Sequence, residues 1–177
     1  ATGGGGASAL VGSAAAGARV AAGMVSVPDD RGLFPSLTVA EHLRLVGSSV
    51  DEAAGVFPAL AGLAARRAGA CSGGEQQQLA VALGIVRRPR VLCIDELSMG
   101  LAARVVVELL SGLRALADEG DTAVLVVEQF VDAVLAVADR GVVLGGGRVI
   151  RDEPSEQLLA DRAALEAAYL GSAPRRR

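Results

Sequence analysis

A carboxylate pair, Asp95-Glu96, directly follows the apolar run Val91 to Ile94. Placing two acidic residues at the end of a buried strand is costly unless they have partners or a chemical task. A strand-end Asp holds Mg²⁺ in enzymes that cleave nucleoside triphosphates, and a neighbouring Glu can act as a general base towards water. The simpler interpretation is an acidic pair where a strand meets a loop.

A second segment with possible chemistry is Ser72-Gly73-Gly74-Glu75-Gln76. We expect a tight, flexible loop at Cys71 to Gly74 because two glycines let the backbone approach a ligand closely. A helix that starts there presents unpaired N–H groups and the positive end of its dipole, and Ser72 adds a hydroxyl donor. These groups suit an anion such as a terminal phosphate. Taken alone, the segment favours a Ser-capped helix without a ligand.

The elements that must position these residues alternate between strand and helix. We predict strands at 24–27, 91–94 and 123–127, the last two fully buried, and a hairpin at 142–144 and 148–150. Helices are predicted at 38–45 with a capping box, 51–65 with a break at Pro58, 75–87, 105–116, 130–138, 156–159 and 163–170, after a loop over residues 1–21. This order predicts an α/β fold with a parallel sheet. Ligands bind at the carboxyl ends of such strands, where Asp95, Glu96, Glu128 and Gln129 lie.

Composition excludes several classes of function. The net charge is −3 and the only dense cationic run is Arg175 to Arg177, so we expect no nucleic-acid partner. Cys71 and Cys93 form no CxxC pair and His42 is the sole histidine, which argues against zinc and a disulfide framework. We interpret Cys93 as a core residue and His42 as an exposed helix residue. No stretch has the apolar length of a membrane span or the pattern of a signal peptide.

The order of these motifs resembles the ATP-binding subunits of ABC transporters. Ser72 to Gln76 resembles the signature loop, Val91 to Glu96 the Walker B strand, and Ser98-Met99-Gly100-Leu101 the D-loop. Val27 to Val39, with Val-Pro-Asp and Phe-Pro-Ser-Leu-Thr-Val, resembles the Q-loop region of branched-chain amino acid importers. Val127-Glu128-Gln129, Ala138 to Gly141 and Ala168 to Gly171 are similar to the same branch, so the resemblance runs from about residue 9 to 171.

The resemblance implies a role for each matched residue. Ser72, Gly73, Gly74, Glu75 and Gln76 would bind the γ-phosphate of ATP held mainly by a partner subunit. Asp95 would hold Mg²⁺ partly through water, Glu96 would be the general base, and Gln129 would contact the γ-phosphate. Asp29 would lie in the segment that couples to the membrane subunit. Ser98 and Gly100 would form the dimer contact.

The resemblance also implies a partial P-loop NTPase fold of the ABC type. Its parts would be a helical signature subdomain at about 36–86, a Walker B core at 87–145, and a C-terminal hairpin with helices at 146–177. The implied function is ATP hydrolysis that drives import, with branched-chain amino acids as cargo. The implied partners are a second ABC ATPase subunit, identical or related, and membrane permease subunits at the cytoplasmic face of the cell membrane.

The chain departs from the family pattern in one major respect. The Gly-x-x-x-x-Gly-Lys-Ser/Thr loop is absent, and all 17 basic residues are Arg. That loop cradles the phosphates and its Lys neutralises them, so we expect an N-terminally truncated chain that is inactive alone. Losing the loop's strand would expose an apolar edge, which predicts poor solubility. Cys71, Leu83 and Leu97 replace the usual Leu, Arg and Pro.

Two other functions are consistent with these residues. The chain could be a half-site partner that lends only Ser72 to Gly74 to another ATPase subunit, leaving Asp95 and Glu96 idle. It could also be an ABC ATPase of DNA repair or translation. Those proteins usually carry long insertions or duplicated domains, whereas this chain has 177 residues and is acidic.

Overall fold

A parallel three-stranded sheet organises the computed structural model, which describes residues 14–129, 131–163 and 165. Its strands are β1 (Met24–Val27), β2 (Val91–Asp95) and β3 (Ala123–Val127), in the order β1-β2-β3. The central residue Leu92 lies in register with Val25 on one side and Val124 on the other. The predicted α/β fold with a parallel sheet is therefore confirmed.

Helices precede, connect and follow the strands of the sheet. They are α1 (Ala16–Ala21), α2 (Val39–Leu45), α3 (Val50–Val56), α4 (Gly73–Ile85), α5 (Ala103–Asp118), α6 (Val131–Leu135) and α7 (Ser155–Ala160), with 3-10 helices at Pro58–Leu63 and Ala68–Ala70. The prediction of a loop over residues 1–21 is wrong for Ala16–Ala21. Most of the predicted helix 163–170, the motif Ala168 to Gly171 and residues 1–13 lie outside the described residues. No helix in the described part of the chain has the length and apolarity needed to cross a bilayer.

Local sequence rules account for several helix ends. The Thr38 hydroxyl accepts from the Glu41 amide, and the Glu41 carboxylate accepts from the Thr38 amide, so the predicted capping box starts α2. Pro58 lacks a backbone N–H, so α3 ends before it and a separate 3-10 helix begins at Pro58. These short-range patterns fix where the chain turns between β1 and α4.

The hairpin is longer than predicted and runs from β4 (Arg140–Gly145) into β5 (Arg148–Pro154). Gly146 and Gly147, with φ of 56° and 74°, form the connecting turn. Positive φ at both central residues is the type I′ geometry that matches strand twist, and glycine adopts it without strain. The hairpin packs with α6 and α7 around a small cluster of Leu135, Leu158 and Leu165.

The main core lies between the sheet and α4. Leu79, Leu92, Leu97 and Leu109 are fully buried there. Helix α4 packs so tightly on the sheet that a Cβ at Gly84 would lie 2.9 Å from a methyl carbon of Leu92. The tight packing around α4 holds its N-terminus, Ser72 to Gln76, in a fixed relation to the strand ends.

The predicted full burial of β2 and β3 is wrong. Leu92 and Ile94 are buried, but Val91, Leu125 and Val127 are 36%, 55% and 54% exposed. A continuous apolar run cannot show whether both faces of a strand are covered, since successive side chains point to opposite faces. Cys93, which we expected in the core, is only half-buried, although burial still raises the pKa of its thiol.

His42 is buried rather than exposed, with only 3% of its surface accessible. Its Nε2 accepts from the Phe34 amide at 2.9 Å, and its Nδ1 lies 2.9 Å from the Thr38 carbonyl oxygen. Because Nε2 accepts a hydrogen bond, Nδ1 carries the proton and donates to Thr38. The His42 ring therefore connects the β1 loop, residues 28–37, to α2. The position of His42 in the sequence could not show this contact.

Candidate functional site

The chain turns sharply out of the sheet at the carboxyl end of β2. Asp95 is the last residue of the strand and is exposed. Glu96 takes a left-handed conformation with φ of 50°, and its amide donates to the Val127 carbonyl at 3.0 Å. A residue with a Cβ pays about 1–3 kcal/mol for such a conformation, and such strain concentrates at functional sites. The hydrogen bond to β3 keeps this turn beside the end of the neighbouring strand.

Glu96 meets Gln129 across the two strand ends. The Gln129 side-chain amide donates to the Glu96 carboxylate, with Nε2 and Oε1 3.3 Å apart. The amide and the carboxylate come from residues 33 positions apart in the chain. The structure therefore brings together the two residues that the sequence suggested as catalytic.

Glu128 connects the same two strand ends, although its position in the sequence predicted only that it lies at this edge of the sheet. Its Oε1 accepts from the Ser98 amide at 2.5 Å, and its Oε2 accepts from the Gln129 amide at 2.9 Å. One carboxylate thus connects the segment after β2 to the segment after β3. The only sequence signal for this connection was that Glu128 directly follows the apolar strand β3.

A small cavity of about 80 Å³ opens between these side chains, which we call the strand-end cluster: Glu96, Ser98, Met99, Glu128 and Gln129. The Ser98 hydroxyl oxygen is buried there without a protein hydrogen-bond partner. Buried polar atoms normally have a partner, and a cavity this size holds water. The strand-end cluster therefore offers a water molecule polar groups on several sides. Gly100, next along the chain, has φ of 71° and closes the turn before α5.

The signature segment, Ser72 to Gln76, forms the start of α4 rather than a loop. Gly73 and Gly74 belong to the first helical turn, so the predicted flexible loop is wrong at these residues. The Ser72 hydroxyl accepts from the Glu75 amide at 3.3 Å, and the Glu75 carboxylate accepts from the Ser72 amide at 2.7 Å. This reciprocal capping box overrides the conformational freedom of the two glycines.

The capping box leaves the amides of Gly73 and Gly74 for another acceptor. The first four N–H groups of a helix lack intrahelical partners, and here the box uses those of Ser72 and Glu75, while Gln76 donates to the Ser72 carbonyl. A Cβ at Gly74 would lie 3.2 Å from methyl carbons of Val105, whereas Gly73 has only atoms beyond 3.7 Å. Glycine at 74 therefore serves the approach to α5, whereas a Cβ at position 73 would make only ordinary van der Waals contacts.

Electrostatics at this helix start depend on Glu75. The backbone hydrogen bond from Ser72 lowers the pKa of the Glu75 carboxyl, and the nearby Arg66 lowers it further. The Arg66 guanidinium lies 3.3 Å from the carboxylate. Glu75 therefore stays ionised at the positive end of the helix dipole.

Gln76 is engaged inside the protein. Its Nε2 donates to the carbonyls of Ala68 and Cys71 at 2.9 and 3.3 Å, and its Oε1 accepts from Arg31. Cys71 is buried, and burial raises the pKa of its thiol. The Gln76 side chain thus braces the segment that leads into Ser72.

The remaining predicted residue, Asp29, is exposed in the β1 loop and caps it by accepting from the Asp30 amide at 2.9 Å. The predicted residues therefore occupy three places: the strand-end cluster with Asp95, the signature segment, and the β1 loop. The signature segment borders the chain after the D-loop, since Gly73 and Gly74 face Leu101 and Val105. Among the described residues, no three His, Cys, Asp or Glu side chains gather as a metal site.

Comparison with protein families places this arrangement in context. The sequence profile of the family described as ABC transporter matches residues 11–99. The branched-chain amino acid transport ATP-binding protein BraG of Pseudomonas aeruginosa is 36% identical over 154 residues, which cover 82% of this chain and 65% of BraG. The probable branched-chain amino acid transport protein LivF of Archaeoglobus fulgidus is 32% identical, covering 80% of this chain and 64% of LivF. The chain thus spans just under two thirds of these relatives.

Solved structures show the same fold. The protein cbiO1 of Clostridium perfringens, described as part of the ABC transporter complex cbiONQ, superposes with a TM-score of 0.68 at 22% identity, over 86% of this chain and 65% of that one. An ATP-binding cassette of an ABC transporter in its ADP conformation superposes with a TM-score of 0.67, also at 22% identity, over 84% and 68% of the two chains. At this identity the likeness establishes the architecture alone.

Proposed function

The chain belongs to the ABC transporter family, and from that premise we propose that it is the ATP-binding and ATP-hydrolysing subunit of an importer. The observation that carries the proposal is the contact between Gln129 and Glu96 beside the orphaned Ser98 hydroxyl. A carboxylate, an amide that orients it and a water-sized cavity are the parts that activation of a water molecule needs.

Glu96 is the general base of the proposed reaction. Its carboxylate borders the cavity of the strand-end cluster and would accept a proton from a water molecule placed there. Gln129 holds the carboxylate through one oxygen and leaves the other for the water. Glu128 acts indirectly, because it fixes Gln129 and Ser98 through their backbone amides.

Asp95 is the proposed Mg²⁺ ligand. Mg²⁺ is commonly bound by one or two carboxylates together with phosphates and waters, so a single exposed strand-end Asp fits it better than a closed protein cage would. When bound, the ion would neutralise charge on the phosphates. Asp95 would hold the ion partly through water, next to the general base.

The signature segment is the proposed contact with the γ-phosphate of ATP held mainly by a partner subunit. Gly73 and Gly74 present amides at the positive end of α4, a 13-residue helix. The Ser72 oxygen accepts from Glu75, so its O–H remains available to donate to a phosphate oxygen. Ionised Glu75 completes the cap, while Gln76 supports the segment from inside.

Branched-chain amino acids are the proposed cargo, because BraG and LivF carry that description. Relatives named for the import of molybdenum, thiamine and ferric ions also match, so the cargo depends on the partners of this subunit. The partners we propose are a second ABC ATPase subunit, identical or related, and membrane permease subunits. The chain would dock on the permease at the cytoplasmic face of the membrane, with Asp29 in the coupling segment and Ser98 and Gly100 at the ATPase dimer contact.

A second function uses the signature segment alone: the chain serves as a half-site that supplies Ser72 to Gly74 to ATP held by another ATPase subunit. The observation that favours it is that the capped helix start at Ser72 is formed completely by residues of this chain. The two functions differ at Glu96. Under the first function, Glu96→Gln in the complete subunit abolishes hydrolysis at its own site, whereas under the second it leaves the partner's turnover unchanged.

Association in the presence of MgATP tests the part that both functions share. Ser72→Ala removes the cap and the hydroxyl donor, so it should weaken ATP-dependent pairing with the partner ATPase subunit by about tenfold, the effect of one hydrogen bond to a charged group. Ser111→Ala, on the exposed face of α5, is the matched control. Equal association of both variants, measured by analytical ultracentrifugation, would contradict a phosphate contact at Ser72.

A further inference from the structure

Arg31 ties the β1 loop to the start of α4. Its Nε donates to the Gln77 side-chain oxygen at 2.8 Å, and its Nη1 donates to the Gln76 side-chain oxygen at 3.1 Å. The two acceptors are 45 and 46 positions further along the chain. A planar guanidinium offers donors in a fixed fork, so two neighbouring amide oxygens set both the distance and the direction of the loop.

The backbone of Arg31 is held in an unusual conformation. Its φ is 68°, which is unfavourable for a residue with a Cβ. The amide of Arg31 donates to the Pro28 carbonyl at 2.9 Å, and the amide of Gly32 donates to the Asp30 carboxylate at 3.0 Å. This turn directs the Arg31 side chain towards α4. The hydrogen bonds from Arg31 to Gln76 and Gln77 offset the strain of its left-handed backbone.

Gln76 connects Arg31 to the backbone that precedes Ser72. While its oxygen accepts from Arg31, its Nε2 donates to the carbonyls of Ala68 and Cys71 at 2.9 and 3.3 Å. One side-chain amide therefore connects Arg31 to the residue that precedes the helix cap. The buried Gln77, only 3% exposed, anchors the other arm of the fork within α4.

Backbone contacts join the same two segments along their length. The Ala68 amide donates to the Leu37 carbonyl at 2.8 Å, and the Gly69 amide donates to the Pro35 carbonyl at 3.0 Å. A Cβ at Gly69 would lie 3.0 Å from the Pro35 oxygen, a tight contact that glycine avoids. The β1 loop and residues 68–72 therefore form one hydrogen-bonded unit.

We propose that Arg31 is a positioning residue that sets the signature segment relative to the β1 loop. A displacement of the β1 loop moves Arg31, and through Gln76 it moves Cys71 and Ser72. The inference rests on the proposed function only where it assigns ATP contact to Ser72 and Gly73. Arg31 itself acts through the glutamines.

Amide hydrogen exchange of the full chain tests this link directly. Arg31→Gln should accelerate exchange of the amides of residues 68–72 about tenfold, because opening this segment no longer breaks the fork. Arg31→Lys keeps one donor and should give a smaller effect. Arg104→Gln is the control, since Arg104 forms an exposed pair with Glu108 on α5.

A second variant distinguishes the connection through Gln76 from a general loss of stability. Gln76→Glu keeps an acceptor for Arg31 but removes the donor to Ala68 and Cys71. It should accelerate exchange at residues 68–72 while leaving the Arg31 amide protected, whereas Arg31→Gln accelerates both. Exchange at 68–72 within twofold of the Arg104→Gln control in both variants would overturn the proposal.

Kinetics of the assembled ATPase pair provide the functional readout. Arg31→Gln should raise the KM for ATP about tenfold and leave kcat within about threefold, since it misplaces a binding segment and leaves Glu96 in place. An unchanged KM would contradict the functional link. If the wild-type pair hydrolyses no ATP, the proposed function fails, and the exchange result alone decides the role of Arg31.

Discussion

The side-chain amide of Gln129 donates to the carboxylate of Glu96 across the ends of β3 and β2, with Nε2 and Oε1 3.3 Å apart. Because Glu96 is held in a left-handed conformation by its bond to Val127, the contact joins two fixed backbones. An amide in this place orients a carboxylate without neutralising it. Gln129 can therefore set the direction from which Glu96 meets a water molecule.

Gln129→Ala should lower kcat for ATP hydrolysis about 10- to 100-fold, at or below the lower end of the range for general base catalysis, because Glu96 stays in place but loses its orientation. Gln157→Ala, at an exposed position of α7, is the matched control. Steady-state phosphate release by the assembled subunits measures the effect. Equal kcat for the two variants would remove Gln129 from the mechanism.

Glu128→Ala should destabilise the chain by about 1.5 kcal/mol, the lower end for hydrogen bonds to a charged group, since Glu128 is only half-buried. The variant leaves the Ser98 amide without its acceptor. Urea unfolding followed by circular dichroism measures the change. Glu119→Ala removes an exposed carboxylate at the end of α5 and should change stability by less than about 0.5 kcal/mol. A Glu128→Ala midpoint equal to that of the control would show that the bond contributes nothing.

Stability should depend on pH through Glu75. Hydrogen bonds from Ser72 and the charge of Arg66 lower its pKa in the folded chain from an ordinary value of 4.5, so its contribution is fully present above pH 4.5 and is lost as the pH falls through the folded-state pKa. Glu75→Gln should therefore be less stable than wild type near pH 7 by about 0.3–1 kcal/mol, the range for a charge at a helix terminus.

The difference between wild type and Glu75→Gln should start to shrink below pH 4.5 and approach zero as the pH falls through the folded-state pKa of Glu75, where the folded carboxyl becomes protonated. Urea titrations of both proteins over a pH series measure it. A difference that stays constant with pH would show that the carboxylate charge does not support the cap.

The uncovered face of the sheet predicts self-association of the 177-residue chain. Leu125 and Val127 on β3 are both more than half exposed, and in the described part of the chain β3 pairs only with β2. Leu125→Thr should reduce light scattering on concentration, with a change in stability within about 0.5 kcal/mol. Leu92→Thr is the contrasting variant, because Leu92 is fully buried and its loss should cost about 2–4 kcal/mol. If Leu125→Thr scatters light as strongly as wild type, the exposed face of β3 is not the surface through which the chain associates.

Short-range patterns made part of this structure predictable. Thr38 and Glu41 are three residues apart, and this spacing predicted the cap that starts α2, while the helical character of residues 75–87 predicted a helix after Ser72. Neither pattern could show that Gly73 and Gly74 would join the helix, since their flexibility suggested a loop. The ends of β2 and β3 were predictable because their apolar runs stop at acidic residues, and the end of β1 because Pro28 follows it.

Long-range packing decided what the sequence could not show. The burial of His42 depends on where the Phe34 amide lies, and the exposure of Leu125 depends on what covers the sheet. The link between Glu128 and Ser98 joins residues that the sequence analysis had assigned to separate motifs. A hydrogen bond between residues 30 positions apart produces no periodic pattern in the amino-acid sequence.

Hydrolysis by the Glu96→Gln variant tests the central claim most directly. The proposed complete subunit, in which a phosphate-binding loop accompanies these residues, is paired with its partner and assayed for single-turnover cleavage of ATP as wild type, as Glu96→Gln and as the exposed-carboxylate control Glu119→Gln. The account predicts that Glu96→Gln slows cleavage at the chain's own site at least about 100-fold, as expected for loss of a general base, while Glu119→Gln cleaves at the wild-type rate. Cleavage by Glu96→Gln at the rate of the control would contradict the assignment of Glu96 as the catalytic base.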